Sequence, residues 1–164
     1  MVQVAKVPES HRVGETPQQY AERLAEEKAR AVARLAPGNF VLGADTIVVV
    51  DQHILEKPAD SADAARMLRQ LSGRVHEVLT AVCLVRPDGM LEVASEITRV
   101  WMSEVSEKEI SDYVSNAEPM DKAGAYAIQG WASRWIHRIE GDYFTVMGLP
   151  VARVYQMLKE AGAL

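Results

Sequence analysis

Asp45 and Thr46 put a carboxylate and a hydroxyl inside an otherwise apolar run, VLGADTIVVV, residues 41–50. An ionised group in a strand covered on both faces is strongly disfavoured without a charge partner or a metal. Asp45 is therefore either satisfied structurally, as a strand-terminal Asp bonding a neighbouring turn would be, or it faces a cleft and works there. Two lysines are candidates to serve a bound anion. Lys57 follows at the ILEKP turn, where proline stiffens the backbone and the ammonium could reach a phosphate, and Lys28 lies in the middle of a long helix. A solvated surface lysine is the alternative for each. Arg74 and His76, in LSGRVH, fall just beyond a helix end, where the macrodipole stabilises cations without any functional role.

The segment DKAGAYAIQG, residues 121–130, is more unusual. An acid and a base, Asp121 and Lys122, lead into small residues that let a ligand approach the backbone. A lone amide follows: Gln129 offers one acceptor and two donors, and the edge of uracil or thymine presents a carbonyl, an N–H and a second carbonyl that an amide can match. A glutamine buried against the main chain is the alternative. Trp131 and Trp135 fit core or rim packing better than base stacking. His137 alternates with Ile136 and Ile139 and points to solvent, while His11 and His53 lack an acid or cysteine partner at zinc spacing.

Positioning these groups requires elements that the sequence marks in turn. Thr16-Pro17-Gln18-Gln19 has a capping hydroxyl, proline at the first helical position and glutamine three residues after the cap, then an apolar-periodic stretch to Pro37-Gly38. The apolar run with Asp45 follows as a strand, then a turn at Asp51-Gln52, the short ILEKP arm, and a helix capped by Asp60 or Ser61 that runs to Gly73. Residues 75–85 and 91–101 read as an antiparallel hairpin joined by Pro87-Asp88-Gly89. Ser106 caps a helix to about Val114, and residues 149–161 form a closing helix marked by Gly148 and Pro150. Residues 2–7 read as a short strand or a frayed terminus. Helices interleaved with strands indicate α/β architecture on a mixed sheet.

With 164 residues, 48% hydrophobic and 25% charged, the chain fits one ordinary globular domain rather than a disordered, collagenous or coiled-coil protein. The single cysteine, Cys83, forms no internal disulfide and sits among apolar neighbours, as a buried strand position in a reducing cytoplasm would. No apolar stretch approaches the roughly 20 residues of a membrane span, and no signal-peptide order is seen at Met1 to Ser10. A net charge of −5 argues against a nucleic-acid surface, and it means that a polyanionic ligand must meet locally concentrated lysines or a divalent metal.

The motifs ETPQQYAERLAEEKA, VLGADTIVVVD, LEKP, LSGRVH, DKAGAYAIQG and IEGDYFTVMGLP, in this order over nearly the whole chain, resemble the Maf family of nucleotide pyrophosphatases, once described as septum formation inhibitors. The resemblance implies a single domain, residues 1–164, of the α/β Maf/Ham1-like fold: a mixed sheet with flanking helices, in two lobes around a cleft. It implies a hydrolase that splits a nucleoside triphosphate into the monophosphate and pyrophosphate with a divalent cation, Mg²⁺ or Mn²⁺. Asp45 falls on the family's proposed proton acceptor, Thr46 and Gln129 fall on positions tied to substrate choice, and AYAIQG looks like the branch that acts on dTTP and UTP. Lys57 and Lys28 would then bind phosphate oxygens, and Glu9 and Asp121 are candidate metal or water ligands. Partners implied are the triphosphate substrate and further copies of the chain, a homo-oligomer with a dimer among the options, with no nucleic acid and no membrane. Family members open with a strand and a loop reading roughly Ser-x-Ser-Pro-Arg-Arg, and this sequence starts after that segment. The expectation is that the arginines' phosphate contacts are missing and activity is impaired. The alternative function is a non-catalytic nucleotide-binding or regulatory protein that keeps the base pocket.

Overall fold

The computed structural model describes residues 1–116 and 118–164. The first helix, α1 (Pro17–Ala33), starts where its cap signals. The Thr16 hydroxyl accepts from the Gln19 amide at 3.2 Å, and the Gln19 side-chain oxygen accepts from the Thr16 amide at 2.9 Å, so two otherwise orphaned donors are satisfied at once. Its buried stripe is Tyr20, Ala21, Leu24, Ala25 and Ala29. The strands are β1 (Val41–Val50), β2 (His53–Leu55), β3 (Val75–Val85), β4 (Leu91–Met102) and β5 (Ile136–Glu140), in the spatial order β2-β1-β3-β4-β5. The other helices expected to flank the sheet are present, α2 (Ser61–Leu71), α3 (Glu107–Val114) and α5 (Val151–Glu160), with a further short helix, α4 (Tyr143–Met147), ahead of the last.

The α/β class holds, with one difference of detail. Every pairing in the sheet is antiparallel rather than mixed. Tight reversals account for two of the pairings. Asp51 and Gln52, at φ 49° and 63°, turn β1 directly into β2, and the Pro87–Gly89 loop sets Val85 opposite Leu91. The central strand β3 is buried along most of its length. Cys83 lies there between Gly43 and Val93, and burial pushes its thiol up to about 11, so it is an inert core residue.

The two sheet faces carry separate cores. One packs α1 against Ile47, Leu79, Ala81 and Cys83. The other joins α2, α3 and the turns after α3 to Val48, Val78, Val100 and Met102, with α5 covering Val82 and Leu84 beside it. Residues 2–7, where a strand or a frayed end was expected, have no regular structure, and Val2 and Val4 are exposed. The short helix α4 was not marked in the sequence. Its Asp142 cap accepts from the Thr145 amide at 2.9 Å, and Gly148 at φ 104° ends it.

Two packing details position the site. Strand β2 pairs β1 only at Val48, Val49 and Val50, so among the described residues 41–47 are paired on the β3 side alone. Helix α1 meets β1 through bare backbone: a Cβ at Gly43 would lie 2.5 Å from the Ala25 oxygen and 2.7 Å from the Ala29 nitrogen. Gly43→Ala is accordingly expected to force α1 off the strand at a cost of about 1–3 kcal/mol. Thermal unfolding checks this. A melting temperature within a degree of the wild type would mean that the helix does not depend on this contact.

Candidate active site

Strand alternation sends Asp45 and Thr46 to opposite faces of β1, and one cavity of about 270 Å³ at the unpaired edge reaches both. On the α1 face Asp45 is nearly buried, its side chain 8% exposed, and the ammonium of Lys28, whose side chain is 20% exposed, lies 2.6 Å from Asp45 Oδ1. The same ammonium lies 2.7 Å from Glu9 Oε1. Lys28 is therefore a shared donor between two carboxylates, not the solvated helix lysine held open as the alternative. Burial raises the Asp45 pKa, an effect the Lys28 hydrogen bond and charge only partly offset. Burial works against the Lys28 charge, yet hydrogen bonds to Asp45 and Glu9 outweigh it and the ammonium is held more firmly protonated than a free lysine. Tyr20, whose residue is fully buried, donates its hydroxyl to Glu56, and burial together with that carboxylate raises the Tyr20 pKa.

The opposite face is apolar. Val48, Val78, Ala123, Tyr126, Val146, Met147 and Gly148 line it, with the Thr46 hydroxyl among them. Thr46 Oγ1 lies 2.8 Å from Thr80 Oγ1, and the buried Thr80 hydroxyl donates to the Thr145 carbonyl at 2.7 Å. Two loops close the cavity and are tied to one another by the Gly124 amide, which donates to the Glu56 carbonyl at 3.1 Å. Gly124, at φ 68°, presses so closely on Val48 that a Cβ there would lie 2.9 Å from Val48 Cγ2. Tyr126 anchors the second loop through a buried 2.7 Å bond between its hydroxyl and His76 Nε2. His76 thus differs from the helix-end cation expected of it: burial lowers its pKa to about 4 and the ring is neutral. Arg74 is turned outward onto Asp51 at 2.6 Å.

The structure brings Asp45, Thr46, Lys28, Lys57, Glu9 and Asp121 to this one cavity. Lys57 is exposed at its rim, and Asp121 is exposed and bonded to Lys122 at 2.7 Å. Gln129 is exposed and lies outside the lining, so it is also not the glutamine buried against the main chain. Sequence reasoning missed Glu56, Tyr20, Thr80 and Thr145. Only Glu56 carried a signal, its place beside Lys57 in ILEKP. A larger, open groove of about 1410 Å³ adjoins the cavity across Glu9, Glu56 and Lys57 but does not reach Asp45.

No group of three His, Cys, Asp or Glu side chains stands in a metal-holding arrangement among the described residues. The carboxylates that line the cavity, Glu9, Asp45, Glu56 and Asp121, supply hard oxygens. That donor set fits a Mg²⁺-like ion, which binds through one or two carboxylates and completes its shell with ligand phosphates and water.

Residues 1–161 match the Maf-like protein family. A "dTTP/UTP pyrophosphatase" of Koribacter versatilis is 62% identical over 163 residues, covering 99% of this chain and 84% of the relative. Proteins of the same name from Syntrophomonas wolfei and Symbiobacterium thermophilum are 52% and 53% identical, over 96% and 99% of this chain and 84% and 83% of theirs. A family match over nearly the whole chain, joined by relatives at this identity, establishes that the chain belongs to the Maf-like protein family.

Proposed function

We propose that this protein is a nucleoside triphosphate pyrophosphatase that hydrolyses dTTP and UTP to the monophosphate and pyrophosphate. The observation that carries the reading is the nearly buried Asp45–Lys28 pair on the charged side of a cavity whose other side is apolar, in a chain whose relatives bear that name. A nucleoside triphosphate has the matching division. Its phosphates belong beside Lys28 and Lys57, and its base beside Thr46 and the valine and methionine side chains.

In this mechanism Asp45 takes a proton from a water molecule as the water oxygen attacks the α-phosphorus. The bond from that phosphorus to the bridging oxygen breaks, and its electron pair leaves with pyrophosphate. Burial suits Asp45 to the task, because a raised pKa makes it a stronger base than a free aspartate. Lys28 spends two of its three hydrogens on Asp45 and Glu9, which leaves the third for a phosphate oxygen. Lys57 adds a second cation from the rim. Glu9 and Asp121 would hold a Mg²⁺ or Mn²⁺ ion, with Glu56 within the same lining, and that ion would supply charge for the polyanion and acidify water. The single, buried thiol suits a reducing cytoplasm, where nucleotides are found. Tyr143, Phe144 and Met147 of α4, Leu149 in the link, and Val151 and Tyr155 of α5 are exposed apolar side chains close together in the chain, which supports a homodimer.

Three outcomes test the reading. Asp45→Asn should keep the fold and lower pyrophosphate release from UTP by roughly 10²-fold or more, the usual cost of losing a general base; an unchanged rate would reassign the base. Lys28→Met should do something different. Lys28 holds the Asp45 pKa down, so its removal lets that pKa rise, and activity that needs the carboxylate should disappear at a higher pH on the acid side. An acid limb that stays in place would show that another group titrates there. Finally, excess chelator should abolish turnover and added Mg²⁺ should restore it, whereas hydrolysis that continues at full rate in chelator would remove the cation from the mechanism.

A further inference from the structure

We propose that Thr80 is a positioning residue that makes the Thr46 hydroxyl an obligate hydrogen-bond acceptor, and that this acceptor selects uracil and thymine by their ring N3–H. The proposal rests on the pyrimidine triphosphate reading above.

The argument is an inventory of hydroxyl hydrogens. A threonine hydroxyl has one hydrogen and two lone pairs. Thr80 Oγ1 lies 2.7 Å from the main-chain oxygen of Thr145, an atom that can only accept, so the one Thr80 hydrogen is committed there. The 2.8 Å contact between the Thr80 and Thr46 hydroxyls then has a single possible polarity, with Thr46 donating and Thr80 accepting. Thr46 is left without a free hydrogen. Because Thr80 and Thr145 are fully buried, no solvent competes to loosen this order. Thr46 itself is half-buried and lines the cavity between Val48, Val146, Met147 and Gly148. Gly148 leaves the hydroxyl accessible: a Cβ there would stand 3.4 Å from Thr46 Oγ1.

A site that presents only lone pairs divides the pyrimidines. Uracil and thymine carry a hydrogen on N3 and can donate it to Thr46, while cytosine has a bare N3 lone pair and would meet lone pair with lone pair. If Thr46 were free to rotate, its hydrogen would serve cytosine N3 equally well and the selection would vanish. Thr80 thus touches no base, yet it determines which base Thr46 accepts.

The experiment compares kcat/KM for UTP and CTP in the wild type, Thr80→Val, Thr80→Ser and Thr46→Val, and adds N3-methyl-UTP as a wild-type substrate. Valine keeps the shape of threonine, and the Thr145 carbonyl retains the Gly148 amide at 3.1 Å, so Thr80→Val leaves no orphaned carbonyl. The UTP:CTP ratio should fall at least about tenfold in Thr80→Val, chiefly through improved CTP turnover, and return in Thr80→Ser. Thr46→Val should lose the preference without gaining CTP turnover, and N3-methyl-UTP should be a poor substrate. A folded Thr80→Val with the wild-type ratio, or N3-methyl-UTP used as well as UTP, overturns the proposal alone. If Thr80→Val fails to fold, the N3-methyl comparison on the wild type decides. A wild type that hydrolyses neither UTP nor dTTP overturns the pyrophosphatase reading, and this proposal with it.

Discussion

A carboxylate inside a strand must be answered, and the Lys28 answer to Asp45 fixes much of the surrounding structure. Without Lys28 the nearly buried Asp45 carboxylate would be left an uncompensated charge, so the helix carrying Lys28 is not free to sit elsewhere. The ammonium reaches Asp45 at 2.6 Å only if α1 lies against the strand. The sequence makes room for that. Ala25, Lys28 and Ala29 share one helix face by their spacing, and Ala25 and Ala29 meet the bare backbone of Gly43. Small residues on either side of the lysine thus convert an electrostatic requirement into a packing contact.

The second constraint is geometric. A strand's period of two means that adjacent residues can never share a face, so Asp45 and Thr46 are sent to opposite sides of β1. In a fully paired strand such residues would serve two unrelated environments. Here β2 pairs only three residues of β1, and the described strand has an unpaired edge at 41–47. Around that edge one cavity joins both faces. The division into a charged and an apolar half follows directly, and so does the class of ligand: one with a charged end and a flat, largely apolar end.

The elements were legible because their signals are local. Thr16 to Gln19 wrote the cap of α1, alternating and apolar runs wrote the strands, and Asp45 announced its own need for a partner. The identity of that partner was not legible. Lys28 lies 17 residues from Asp45, and nothing in the helix pattern distinguishes it from a solvated lysine until the helix is docked. The Thr46–Thr80–Thr145 chain was invisible for the same reason: its members lie 34 and 65 residues apart, and threonines in strands are unremarkable singly. His76 was misread as a helix-end cation because the helix stops at Leu71 and β3 has already turned the ring inward to Tyr126. The antiparallel order of the sheet escaped for a different reason, since a helix between two strands suggests a parallel crossover but does not require one.

Charge balance is the remaining constraint on how a triphosphate enters. The cavity is lined by Glu9, Asp45, Glu56 and Asp121 against Lys28, Lys57 and Lys122, so four carboxylates face three ammoniums before any ligand arrives. Adding phosphates to such a site is uphill unless positive charge enters with them or a carboxylate takes up a proton. Protonating Asp45 would remove the proposed base and would also weaken the pair that docks α1. Drawing Lys28 away to the phosphates would do the same damage. A divalent cation entering with the substrate would avoid both, because it would offset the phosphate charge and leave Lys28 free to hold Asp45 with one hydrogen while offering another to the ligand. In the proposed mechanism, the part a metal ion would play is to keep the Asp45–Lys28 pair intact during the reaction.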